Sequence, residues 1–214
     1  MYPVGETLPI DQLPSGAYML SGPAMSGKYE LLMSALSAGV EDGDGILLVT
    51  TNRDAASIIG DFEERVGRVP TNLYIVDAVS EQQTSSGHLP PERVKHVSSP
   101  GDLTGIGIAV SEHIQQLVAA EAQRTRLGFY SLSTLLMYAD IEGVFRFLHV
   151  LTGRVTSING LGLFAIDPTT HDESTINTLK QLFDGMIEVR GDGESREVRI
   201  VGVPDASAEW QTVP

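Results

Sequence analysis

Cysteine is missing from all 214 residues. Its absence excludes disulfides, cysteine-ligated zinc and thiol catalysis, and it fits a reducing interior. Lysine is nearly missing too: Lys28, Lys95 and Lys180 stand against eleven arginines. Long apolar runs are lacking, and no stretch approaches the roughly 20 residues that a bilayer-spanning helix needs. The opening segment Met1-Tyr2-Pro3-Val4-Gly5-Glu6 has neither a basic region nor an apolar core of the kind that targets a chain for export. The expectation is a soluble, cytoplasmic protein with no membrane insertion.

Positive charge is scarce overall, with 14 basic residues against 28 acidic ones and a formal net charge of −14. At ordinary ionic strength such a surface repels itself, nucleic acid and anionic lipid. Molar salt relieves that repulsion, because the Debye length falls to about 3 Å at 1 M. The acidic residues are spread along the chain, so a salt-rich cytoplasm accounts for them better than a functional acidic tail. DNA is a disfavoured partner on the same grounds, and no basic, aromatic groove for it is evident. The length fits one domain, residues 1–214, large enough for a continuous core without staples.

What is present is an alternation of short β-type runs with longer helical patterns. That order predicts an α/β fold: a mostly parallel central sheet flanked by helices. Strands are expected at 17–21, 45–51, 72–76, 127–130 and 160–166, with helices at 28–38, 55–66, 106–124 and 173–183. Ile141, Val144, Phe145, Leu148, Leu151, Val155 and Ile158 mark one face of a further helix and read as core. Residues 186–190 and 196–203 predict a C-terminal hairpin turning around Gly191-Asp192-Gly193-Glu194. Residues 80–104 are rich in turn formers and read as a mobile or partner-facing excursion. Residues 204–214 read as a surface tail tethered by Trp210.

The most informative motif is Gly22-Pro23-Ala24-Met25-Ser26-Gly27-Lys28, a G-x-x-x-x-G-K run between an expected strand and an expected helix. In that context glycines let backbone N–H groups wrap a phosphate, and the lysine adds a mobile positive charge. The next residue is Tyr29, where Ser or Thr would normally help hold the cation that bridges the terminal phosphates. Either Tyr29 points into the fold as an aromatic anchor or it lies near the cation position. Hydrolysis also needs carboxylates at strand ends to order metal and water. The central strand ends in Tyr130 and the second in Thr50-Thr51-Asn52, and none of these supplies one. Asp54 reads as a helix cap, and Asp77 and Asp167 as solvated or turn carboxylates.

Taken together, these residues resemble the RecA-like P-loop ATPases, and within them the single-domain, KaiC-like branch of archaea. The resemblance runs from the first strand to about Arg190 and rests on three stretches. These are the 22–28 loop; Tyr130-Ser131-Leu132-Ser133, where the family typically reads Asp-Ser-Leu-Ser; and 162–190 with His171-Asp172-Glu173 and Phe183-Asp184-Gly185. The run 98–107 looks like a feature of a haloarchaeal subgroup. The resemblance implies a RecA-like fold that binds ATP or ADP, with Gly22, Pro23, Ala24, Met25, Ser26 and Gly27 around the phosphates. It also implies that Lys28 contacts the terminal phosphates and that Tyr29 borders the site. It does not carry over hydrolysis, and it leaves Mg2+ open. The resulting expectation is a nucleotide-binding regulatory protein with a protein partner, in which a homo-oligomer is compatible. Two alternatives stand beside it: an oligomeric ATPase that recruits its missing groups, and a scaffold that binds no ligand.

Other chemistry is weaker. The histidines at 88, 96, 113, 149 and 171 lack metal-ligand spacing. His171-Asp172-Glu173 sits where a helix cap by Thr170 or Asp172 is expected, and Asp102 or Thr104 is expected to cap the helix that follows it. Ser131 and Ser133 have no nucleophile-elbow surround. Arg196 and Arg199 read as exposed hairpin charges paired with Glu188 and Glu197, although in oligomeric relatives basic residues of that region reach a neighbouring subunit's nucleotide.

Overall fold

The structure is a computed structural model that describes residues 1–80, 89–191 and 196–214. Two short strands, β1 (Tyr2–Pro3) and β2 (Gln12–Leu13), pair with each other. The main alternation follows: β3 (Gly16–Ser21), α1 (Lys28–Ser37), β4 (Gly45–Thr50), α2 (Ala55–Val66), β5 (Leu73–Asp77) and β6 (Val94–His96). Next come α3 (Leu103–Ala119), β7 (Thr125–Tyr130), α4 (Leu132–Tyr138), α5 (Ile141–Ser157) and β8 (Leu161–Ile166). The chain ends with α6 (Glu173–Lys180), β9 (Gly185–Arg190), β10 (Glu197–Val201) and β11 (Gln211–Thr212).

Nine strands form one sheet in the order β11-β10-β9-β3-β8-β7-β4-β5-β6. Pairing is parallel from β9 through to β6, while β9–β10 and β10–β11 are antiparallel. The expected α/β fold with a mostly parallel sheet flanked by helices is therefore present. The strands β3, β4, β5 and β8 are buried along their whole length, which is why they read as continuous apolar runs rather than alternating ones.

Successive side chains of a strand still serve opposite faces. Ile46 and Leu48 join a core with Leu31, Leu32, Leu36, Ile58 and Phe62 beneath α1 and α2. Leu47 and Val49 join a second core with Ile106, Val144, Leu148 and Phe164 on the side of α3 and α5. The apolar stripe of α5 is core, as its spacing predicts: Val144, Leu148, Leu151 and Val155 are buried.

Helix starts follow local hydrogen-bond chemistry. Asp54, Asp102, Asp140 and Asp172 each accept a backbone N–H from the first turn of the helix they precede. The cap at Asp102 begins α3 before the expected 106, and the helix ends at Ala119, short of 124, ahead of a left-handed residue, Glu121. The helix α4 was not expected, because its 7 residues give no full amphipathic repeat. Of the expected excursion, 89–104 contains β6 and the entry to α3, whereas 81–88 lie outside the described residues. Residues 192–195, at the expected hairpin turn, also lie outside them. In the last segment, Trp210 packs under the guanidiniums of Arg190 and Arg199, and β11 pairs with β10. Among the described residues no helix is long and apolar enough to cross a membrane.

At the ends of β4 and β7 where those strands begin, Arg126 is fully buried. Its Nε donates to Asp44 at 2.7 Å, and its Nη1 donates to the carbonyls of Pro3 and Ala35 at 2.6 Å. Arg124 binds the other Asp44 oxygen at 2.8 Å, and both guanidiniums pack on the Tyr2 ring. This pair ties the N-terminal segment, α1 and two strands together. Breaking a buried pair leaves an uncompensated charge, so Asp44→Asn is expected to cost about 3–5 kcal/mol in urea unfolding. The double change Asp44→Leu with Arg126→Met is expected to recover part of that loss.

Candidate functional site

The 22–28 loop connects the end of β3 to the start of α1, so backbone N–H groups of a helix N-terminus open onto it. Gly22 is buried, and its N–H donates to Ile166 O at 3.1 Å. A Cβ there would lie 2.6 Å from Ser26 Oγ and 3.0 Å from Val189 O, so only glycine fits between the loop and β9. Met25 and Gly27 take left-handed backbone, at φ 60° and 79°, and Met25 is 90% exposed. Ala24 is exposed and Pro23 half-buried. Ser26 is fully buried, and its hydroxyl has no hydrogen-bond partner.

Lys28 is buried and donates from Nζ to Pro23 O at 2.7 Å, which closes the loop on itself. Burial pulls its pKa down, and the nearby Asp167 carboxylate opposes that shift. Asp167 directly follows β8, the strand inserted between β3 and β7. Both Asp167 and Asp77 are buried turn carboxylates rather than solvated ones. Asp167 accepts from Thr169 N and Oγ1, and Asp77 from the N–H groups of Ala55, Val79 and Ser80.

Tyr29 is the aromatic anchor of this corner. Its hydroxyl donates to Asp61 at 2.5 Å, its ring lies 4.8 Å from that of Tyr130, and the Arg53 guanidinium sits 4.5 Å over it. Arg53 in turn pairs with Asp61 at 2.9 Å. Burial is the main cause that raises the pKa of Tyr29, helped by the Asp61 hydrogen bond, and burial likewise raises that of Tyr130. Both phenols are therefore neutral in the folded state at physiological pH.

The threonines after β4 are similarly committed. Thr50 Oγ1 donates to Arg53 O, and Thr51 Oγ1 donates to Ser131 O and accepts from Ser131 N. The peptide between Tyr130 and Ser131 is cis. Ser133 receives the Asp167 N–H at 2.8 Å and is thus tied to β8. No free hydroxyl stands at Tyr29 and no carboxylate at Tyr130, and the carboxylate nearest Lys28 in its electrostatics is Asp167. Among the described residues no group of three His, Asp or Glu side chains could hold a metal.

Arg196 departs from the sequence reading. It is not an exposed hairpin charge: it is 9% exposed, and its guanidinium lies against Gly27 so closely that a Cβ there would collide with it. Its Nε is buried and has no hydrogen-bond partner. Glu197 is taken by Arg190 at 2.8 Å, and Glu188 by Arg199. Nothing in a lone arginine of a β-hairpin signals that it folds back onto a loop about 170 residues earlier in the chain. The register of β9 on β3 makes the contact, and registers between distant strands are not written in local periodicity.

A recess of about 410 Å3 beside Tyr29 is lined by Glu30, Asp61 and Glu64 together with Tyr29, Met33 and Arg65. Three carboxylates there disfavour an anion. The 22–28 loop, by contrast, joins helix N–H groups to Lys28 and Arg196.

These features define an α/β protein with a mostly parallel sheet and a cationic glycine loop at the end of β3. Residues 16–189 match a family of unknown function, DUF7504, and the chain belongs to that family. No curated protein matches it.

The Tyr29 corner has a measurable cost. Tyr29→Phe removes the hydrogen bond to Asp61 and is expected to lower stability by about 1 kcal/mol near neutral pH. A phenol whose folded pKa lies above its ordinary value of about 10 contributes fully below that pH and loses its contribution as pH rises further. Unfolding midpoints taken from pH 8 to pH 11 (about the range where free phenols ionise) are therefore expected to converge for wild type and variant at the alkaline end.

Proposed function

We propose that the chain is a nucleotide-binding regulatory protein of RecA-like ancestry. It holds the phosphates of ATP or ADP at the 22–28 loop with little or no hydrolysis. The observation that carries this reading is the contrast between two halves of one corner. One half is a glycine loop with two left-handed residues, a helix N-terminus and a buried lysine, the elements that favour a bound phosphate. The other half, where metal and attacking water would be ordered, is filled by Tyr29, Tyr130, Arg53 and Asp61 packed on one another.

The strand order supports the same reading. Strand β8 lies between β3 and β7, so Tyr130 ends the strand two places from the loop. RecA-like ATPases are expected to carry a metal-ordering carboxylate at that strand end. A phenol there offers no negative charge to a cation and cannot take a proton from water at neutral pH. Occupancy rather than turnover is then the signal, passed to a protein partner.

Calorimetric titration of ATP and ADP in molar salt tests this, with Lys28→Ala as the control. The wild type is expected to bind, and Lys28→Ala to lose at least about tenfold in affinity through the missing charged contact. Phosphate release is expected at background for both proteins. Release by the wild type that Lys28→Ala abolishes would instead identify an ATPase. The absence of binding by the wild type would leave a scaffold.

A further inference from the structure

Two guanidiniums are buried in the described chain, and they are treated differently. Arg126 is neutralised by Asp44 and further bound by two carbonyls, and only its Nη2 lacks a partner. Arg196 is as deeply placed as Lys28, yet among the described residues no carboxylate pairs with it, and its Nε lacks any partner. The neighbouring charges of the hairpin pair with one another, Arg190 with Glu197 and Arg199 with Glu188. A buried cation without a counter-charge costs several kcal/mol. The fold nevertheless holds this one against Gly27, at the N-terminus of α1, where helix N–H groups also await an acceptor. Ser26 adds a fully buried hydroxyl, likewise without a partner, on the same loop. Arg196 Nε beside Gly27 and Ser26 Oγ beside Gly22 are thus two buried donors without partners on one loop, and an anion held there would supply the acceptors that they lack.

The usual route to neutralising a polyphosphate is a divalent cation, and here the hydroxyl after Lys28 and the carboxylate at the end of β7 that would help hold one are replaced, which leaves Asp167 as the buried carboxylate beside the loop. Tyr29 OH is engaged by Asp61, Tyr130 offers a phenol, and Thr50 and Thr51 are bonded to backbone. We infer that Arg196, delivered by the C-terminal hairpin of the same chain, binds the phosphoanhydride group at the 22–28 loop and takes the place of the divalent cation. The inference rests on the phosphate-binding reading of that loop. It adds the residue, the charge balance and the independence from metal. A guanidinium suits the task because its planar set of donors can address two phosphate oxygens at once and stays charged at any physiological pH. Ligand binding then also couples to the hairpin, since Arg196 cannot engage the phosphate without holding the first residues of β10 against the loop.

The test is calorimetric titration of the full chain in molar salt with ATP and, separately, with inorganic pyrophosphate. Each titration is run in excess EDTA and again with Mg2+, for wild type, Arg196→Gln and Arg196→Lys. The wild type is expected to bind in EDTA with an affinity within about threefold of its magnesium value, and Arg196→Gln to weaken binding by at least about tenfold, as loss of a charged hydrogen bond does. Arg196→Lys, which keeps the charge but not the fork, is expected to lose less. ATP binding without pyrophosphate binding assigns the ligand as a nucleotide, and comparable binding of both assigns the polyphosphate alone; either supports the inference if the EDTA and Arg196 results hold. Wild-type binding that requires Mg2+ overturns the inference even if a variant fails to fold, and so does an Arg196→Gln protein that titrates like wild type. Both outcomes leave the loop reading standing. Wild type that binds neither probe under either condition defeats the loop reading itself.

Discussion

Parallel pairing of β3 with β8 on one side and β9 on the other is the constraint from which the candidate site follows. Parallel strands place all their C-terminal ends at one edge of the sheet, where the turns into helices gather. The register Ser21↔Ile166 sets Asp167 beside the 22–28 loop, and Ser21↔Glu188 brings Val189 against Gly22. Because β10 returns antiparallel from the end of β9, its first residues start at that same edge, and Arg196 meets Gly27 there. A shift of either register by one residue would turn alternate side chains to the wrong face and dismantle both contacts.

Stability and candidate function are divided between the two ends of the sheet. The Arg126–Asp44 pair, Arg124 and Tyr2 lock the end at which β4 and β7 begin, with Asp44 and Asp42 as carboxylates for the two guanidiniums. At the opposite end the charges are not matched: Lys28 and Arg196 face a loop rich in donors, with Asp167 the carboxylate that acts on Lys28. Burying unmatched charge is unfavourable in the folded chain alone, and local inconsistencies of that kind mark places where function outweighs stability. The Tyr29–Tyr130–Arg53–Asp61 cluster lies beside this end and is held by the bonds of Tyr29 and Arg53 to Asp61. Its contrast with the glycine loop is the physical basis of the proposal that this chain holds a phosphate without cleaving it.

Much of this was legible in the residues. Ile46-Leu47-Leu48-Val49 announces a strand buried on both faces, and the spacing of Val144, Leu148, Leu151 and Val155 announces a helix packed along one side. The caps at Asp54, Asp102 and Asp172 follow from side-chain chemistry within a single turn. The glycine loop and its wrong neighbours, Tyr29, Tyr130 and Thr50-Thr51, were equally plain. What was not legible depends on distance. Tyr29 had two placements until Asp61, 32 residues away, supplied the acceptor for its hydroxyl. Arg196 read as a surface charge because a hairpin arginine usually is one, and only the order of β9 beside β3 carries it inward. Asp77 and Asp167 are buried although the turns that follow them, with Val79, Thr169 and Thr170, are exposed, a fact of packing that no local pattern encodes.

The most direct measurement is electron density from a crystal of the chain grown with ATP and EDTA in high salt. Phosphate density is expected within the 22–28 loop, with the Arg196 guanidinium and Lys28 Nζ in hydrogen-bond contact with its oxygens and no metal coordinated. An empty loop with ATP bound elsewhere would contradict it, as would phosphates in the loop with Arg196 turned away to solvent.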